Sequence, residues 1–157
     1  RCDALPACRL VMVDSKHIGF KLPTLTWAVE RGRLLAFAKA IGETRSECLD
    51  ESAAQAAGYT SLLAPPTFCF GAIVDGGSVE AMLAKLQVPI ARVLHAEQSF
   101  VYLAPICAGD VLTVTSEVAD IAEKKGGKLV FITLLTTYVN QHDALVCETC
   151  AVIAVRS

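Results

Sequence analysis

Apolar residues recur at helical spacing in the first half of this chain and crowd into long β-type runs in the second. Leu34, Phe37, Ala38 and Ile41 fall at i, i+3, i+4 and i+7, which predicts one helix over 29–41 with Gly42 placed to end it. Asp50 is positioned to cap a second helix reaching Ala57, with Gly58 as its stop. Residues 58–66 read as an irregular loop. Pro66 suits the start of a third helix from Thr67 to Val74, apolar nearly all round and therefore expected to be buried. Gly76-Gly77 breaks it, and Ser78 is placed to cap a fourth helix whose Val79, Met82, Leu83 and Leu86 again share a face.

After Pro89 the period changes. The runs 93–103, 111–122, 129–140 and 145–155 are rich in Val, Ile, Thr, Tyr and Phe. Between them stand Pro105 with Gly109-Asp110, then Gly126-Gly127, then Gln141-His142-Asp143. Turn signals at such short separations predict that consecutive strands pair as an antiparallel meander. Helices followed by four long strands give an α+β domain with its helices on one face of the sheet. Such a sheet leaves edge strands that must be covered or paired, and pairing with a second copy or a sister chain is the economical solution.

Composition changes this picture in one respect. Of the 157 residues, 54% are apolar without counting Gly, against roughly 45–50% with Gly included in ordinary domains. The excess fits a membrane segment or a buried interface. The longest uncharged stretch, Ala53 to Val74, has the length to cross a bilayer. Pro65-Pro66 would break a spanning helix within it, so no membrane span is expected and a homodimer or heterodimer is.

Charge and cysteine content exclude more than they suggest. The net charge is −2 with Lys and Arg scattered, so the basic footprint of a nucleic-acid binder is missing. Of the seven cysteines, Cys48, Cys69, Cys107, Cys147 and Cys150 lie in apolar or regular segments, as free thiols in a reducing compartment do. Cys147-Glu-Thr-Cys150 has CxxC spacing but sits in a strand, where i and i+3 face opposite sides, so it is not expected to hold a metal. Arg1 to Leu10 lacks an apolar core followed by a cleavage site, which leaves the cytoplasm as the default. Met12 could be a natural start; residues 1–15 are taken as an extension and 16–157 as one domain.

The stretch from Phe37 to Phe70 contains FAKAIGETRSECLDESAAQAAGYTSLLAPPTF. It resembles the N-terminal dehydratase module of the MaoC-like (R)-specific enoyl-CoA hydratase/dehydratase family, whose members show F-A-x-A-x-G-D, a D-x-N-P-x-[H/Y]-x-D segment, G-[YF] and A-P-P-T-F. A second block, Leu94-His95-Ala96-Glu97-Gln98-Ser99-Phe100-Val101-Tyr102, and a third, the strand ending Asn140-Gln141 with the run Val152 to Arg156, extend the likeness from Ile18 to Arg156. The resemblance implies a hot-dog fold, a curved antiparallel sheet wrapped around one long central helix, here from Thr67 onward. It implies reversible hydration of a trans-2-enoyl thioester to the (R)-3-hydroxyacyl product. No cofactor is implied beyond the CoA or acyl-carrier thioester itself.

Hydration needs a base for water, an acid for Cα and donors for the enolate oxygen. The family takes the first two from the Asp and His of D-x-N-P-x-H. Alignment on Gly42 puts Glu43 at the Asp, Arg45 at the Asn, Ser46 at the Pro and Cys48 at the His, while Asp50 and Ala54 keep the pattern. A thiol with an ordinary pKa of about 8.5 cannot replace an imidazole near neutrality. Glu43 and Cys48 therefore read either as a broken dyad or as a surface acid and a packing residue.

Thr67, Phe68 and Gly71, at the start of the proposed central helix, are the residues expected to contact the thioester through free backbone N–H groups, with Pro66 beside them in the substrate site. Tyr59 lines the acyl pocket or simply packs, and His95 is a polar site residue or a structural one. Three functions follow from the resemblance: a subunit whose partner chain supplies Asp and His, a self-sufficient hydratase using Glu43, or a non-catalytic acyl-thioester binding module.

Overall fold

The computed structural model describes residues 13–124, 126 and 128–156. Most of the N-terminal extension, with Cys2, Cys8 and Met12, lies outside the described residues. Five strands form one antiparallel sheet: β1 (Leu25–Ala28), β2 (Val93–Tyr102), β3 (Val111–Lys124), β4 (Leu129–Val139) and β5 (Leu145–Arg156), in the order β1-β3-β4-β5-β2. Helices α1 (Arg31–Ala40), α2 (Glu51–Ala56), α3 (Phe70–Asp75) and α4 (Ser78–Leu86) precede the long strands. This is the α+β hot-dog arrangement.

The strand pattern explains which face carries the helices. Along β4, Val130, Ile132, Leu134, Thr136 and Tyr138 are all buried, every second residue, as one covered face requires. β3 alternates likewise up to Val118, and then a register shift between Val118 and Asp120 resets the phase so that Ile121 is buried. On β5, Cys147 is buried while Cys150 is half-buried on the opposite face. Between the two apolar clusters on the inner face runs one row of hydroxyls. Ser116, Thr136 and Thr149 are in register across β3, β4 and β5, and Ser116 Oγ and Thr136 Oγ1 hydrogen-bond at 2.8 Å.

Four expectations are corrected. β2 pairs with β5 and not with β3, because residues 103–108 are held elsewhere: the Leu103 N–H donates to Val146 O, the Ala64 N–H to Ile106 O and the Ala108 N–H to Leu62 O. The short strand β1 had no recognisable pattern, since only Trp27 of its four residues is buried. The third helix begins at Phe70 rather than Thr67. Tight turns come first, with the Phe68 N–H donating to Pro65 O and the Gly71 N–H to Phe68 O. The fourth helix is capped by Gly77 rather than Ser78, which is buried inside its first turn.

The central element is consequently two short helices. Gly77, at φ 66, takes the left-handed conformation that turns the chain between them. Gly76 is required for a different reason: a Cβ there would lie 2.3 Å from Leu25 Cδ2 and 2.9 Å from the Ala72 carbonyl. β1 thus crosses directly over the helix break. Trp27 Nε1 donates to Asp75 at 3.4 Å, and Arg33 pairs with the same carboxylate, tying β1, α1 and α3 together.

The predicted burial of the third helix holds only in part. Ala72 and Ile73 are buried, whereas Val74 is 49% exposed. Ile41, counted in the first apolar stripe, is also exposed because α1 ends one residue before it. On β2, Leu94, Val101 and Tyr102 are exposed, and Leu103 just beyond is 56% exposed. β2 is an edge strand of 10 residues, paired on one side only. Among the described residues no helix is long and apolar enough to cross a membrane.

Candidate active site

The segment aligned with the family dyad links α1 to α2, and the ion pair of Arg31 with Glu51 at 2.8 Å braces those two helices. In it Glu43 is enclosed by its neighbours. Its Oε1 accepts the Thr44 and Arg45 N–H groups at 3.0 and 3.1 Å and Arg45 Nε at 3.2 Å, and its Oε2 accepts Arg45 Nη2 at 2.7 Å. The side-chain and backbone hydrogen bonds from Arg45 hold the carboxyl down at about 2, well below the usual 4.5. Glu43 is thus a charge-assisted acceptor already saturated by donors, and a poor base.

Cys48 ends the single turn Ser46–Cys48 that precedes α2, which Asp50 caps by accepting the Ala53 N–H at 2.8 Å. It is fully buried, and desolvation pushes its thiol above the ordinary range, outweighing the nearby Arg45 guanidinium. Neither dyad position offers a group poised to exchange a proton near neutrality.

The residues expected at the helix start are placed differently from one another. Phe68 is buried against Trp27 and Phe37, at ring distances of 5.1 and 5.5 Å. Gly71 lies under the Trp27 ring, 3.6 Å from where a Cβ would stand. Their backbone N–H groups are spent in the preceding turns, and α3 is only six residues long, so the expected free donors of Phe68 and Gly71 are not there. Pro66 and Thr67 are exposed. Pro66 forms a wall with Arg45, Tyr59, Tyr102 and Pro105 around a groove of about 350 Å3, and Tyr102 Oη donates to the Pro66 carbonyl.

His95 lies elsewhere. It stacks on Phe70 at 5.2 Å, with Nε2 3.0 Å from Glu97 O, just before the register shift that β2 makes between His95 and Glu97. The two rings stand at an apolar cavity of about 220 Å3, between the helix layer and the sheet, whose other walls include Ile73, Val79, Leu134 and Ile153. The predicted residues therefore divide between a groove at one end of the sheet, holding Tyr59 and Pro66, and a cavity beside β2, holding His95. Phe70 and Tyr102 were not singled out as site residues from the sequence, and Arg45 was read only as a departure at the family's Asn position. Among the described residues no three His, Cys, Asp or Glu side chains gather as metal ligands.

Residues 16–149 match the family described as FAS1-like, dehydratase domain region. A UPF0336 protein of Streptomyces griseus is 36% identical over 121 residues, covering 76% of this chain and 81% of that protein. Of solved structures, a MaoC-like dehydratase superimposes with a TM-score of 0.79 at 22% identity, covering 90% of this chain and 42% of the other. A chain of the HadBC (3R-hydroxyacyl-ACP dehydratase) complex from Mycobacterium tuberculosis does so with a TM-score of 0.72 at 23% identity, covering 88% and 96%.

Proposed function

This chain belongs to the FAS1-like dehydratase family, and we propose that within it the chain is the acyl-site subunit of a 3-hydroxyacyl-thioester dehydratase or (R)-enoyl hydratase. The catalytic Asp and His come from a partner chain. The observation that carries this reading is the state of the dyad positions: Glu43 is neutralised by Arg45 and two backbone donors, and Cys48 is sealed as a neutral thiol. A base and an acid must then be supplied from outside.

Two features support what this chain brings instead. The cavity of about 220 Å3 beside Phe70 and His95 is walled mainly by apolar side chains and is larger than the roughly 150 Å3 apolar cavity that accepts a benzene-sized guest. It would take the acyl chain. The unpaired β2 edge, with Leu94, Val101 and Leu103 exposed along it and Val74 exposed on α3, offers the surface on which a sister hot-dog chain would dock. The similar HadBC chain comes from a 3R-hydroxyacyl-ACP dehydratase complex.

The test is crotonyl-CoA hydration by the purified chain at high concentration, alone and after co-expression with a sister chain carrying an intact D-x-N-P-x-H segment. The reading expects no turnover alone and turnover in the pair. Turnover by the chain alone, lost on Glu43→Gln, would overturn it in favour of a self-sufficient hydratase. Acyl-CoA binding with no turnover in any pairing would leave a binding module.

A further inference from the structure

Cys147 of β5 stands directly opposite Tyr102 of β2 on one side and Tyr138 of β4 on the other. Both phenols reach the same turn ahead of α3: Tyr102 Oη donates to the Pro66 carbonyl and Tyr138 Oη to the Cys69 carbonyl, the latter at 3.2 Å. Beneath that turn Cys69 and Cys147 share one buried cluster, close enough for each thiol to shift the titration of the other. Both residues are fully buried, and hydration chemistry has no use for either. The pair is polarised. The contact with Cys147, together with burial, pushes the Cys69 thiol up, while the Cys69 thiol draws Cys147 down against its own desolvation. Cys147 Sγ also donates to the Glu148 carbonyl at 3.6 Å, and once deprotonated it is the attacking thiolate.

We propose that Cys69 and Cys147 are a reversible redox latch, closed by a hydroperoxide, that staples the turn before α3 to strand β5. The Cys147 thiolate attacks one peroxide oxygen; an S–O bond forms as O–O breaks, and the departing hydroxide takes up a proton to leave as water. The Cys69 sulfur then attacks the Cys147 sulfur. The S–S bond forms, S–O breaks, and the released hydroxide carries away the Cys69 proton as a second water. Two thiols and hydrogen peroxide thus give a disulfide and two waters, and a dithiol reverses the step. Burial restricts closure to a small oxidant admitted by local opening of the turn. The latch fixes Pro66, one wall of the groove shared with Arg45 and Tyr102. It does not depend on which chain supplies the catalytic dyad.

The experiment treats folded protein with hydrogen peroxide, alkylates it in denaturant and maps the unreduced peptides by mass. The expected product links the Cys69 and Cys147 peptides with the loss of two hydrogens and returns to thiols with dithiothreitol. It should raise Tm by about 5–10 °C, since the closed loop is long. Amide exchange across residues 65–71 should slow by at least about tenfold. Cys147→Ser should abolish the link while Cys150→Ser leaves it intact. If Cys147→Ser fails to fold, the wild-type peptide map decides alone. Oxidation confined to Cys150 with Cys69 and Cys147 both alkylated, a link between any other pair, or unchanged exchange at 65–71 in the linked protein overturns the proposal.

Discussion

Glu43 shows at the residue scale how one neighbour cancels a candidate group. Four donors from Thr44 and Arg45 surround its carboxylate and hold its pKa at about 2 against an ordinary 4.5. The depressed value means the interaction stabilises the fold above the ordinary pKa and is lost as pH falls through the folded one. The stability difference between wild type and Glu43→Gln should be constant above about pH 5.5 and shrink between 4.5 and about 2. Urea denaturation at a series of pH values measures it, and a difference that fades near pH 6 would refute the clamp. If the chain works as proposed beside a catalytic sister chain, the same variant should retain the turnover of that pair within about twofold, since a saturated carboxylate takes no proton. Cys48, being fully buried, should resist iodoacetamide until the protein unfolds. The departure at both dyad positions was legible from alignment on Gly42. The clamp was not, because Arg45 reaches back two residues only through the particular turn the backbone makes there.

The helix break illustrates what elements can and cannot disclose. Gly76-Gly77 was readable as an interruption. That β1 passes over it was not, because a four-residue strand with one buried side chain carries too short an alternation to recognise. Gly76→Ala places a methyl 2.3 Å from Leu25 and 2.9 Å from a backbone oxygen. The leucine can rotate away but the carbonyl cannot, so a loss of about 1–3 kcal/mol is expected in denaturant unfolding. Gly77→Ala, strained by its positive φ alone, should cost about 1–2 kcal/mol. The long strands were legible because their runs are rich in Val, Ile, Thr, Tyr and Phe and are separated by turn signals, and on β4 the buried positions alternate strictly. The partner of β2 was not legible, since sequence adjacency favours β3 while the 103–108 segment is tied to Leu62, Ala64 and Val146.

The whole molecule is asymmetric at its margins. One edge, β1, is four residues long and the other, β2, is ten, so lateral association has one long template. Composition alone led to the expectation of a buried interface; the place proposed for it is marked by the exposure of Leu94, Val101, Leu103 and Val74. Val101→Asp should weaken association, with itself or a sister chain, by at least about tenfold while leaving the far-UV spectrum unchanged, as sedimentation velocity would report. Unchanged association would place the interface elsewhere.

The hydroxyl row across β3, β4 and β5 has a consequence for how the strands find one another. Inside–outside alternation forbids a slip of one residue but is blind to a slip of two, which returns every apolar side chain to the covered face. A two-residue slip of β4 against β3 would set Thr136 opposite Val114 or Val118 and leave a buried hydroxyl facing a methyl group. Ser116, Thr136 and Thr149 therefore act as a key cut across three strands, accepting one alignment out of several that hydrophobicity alone would tolerate.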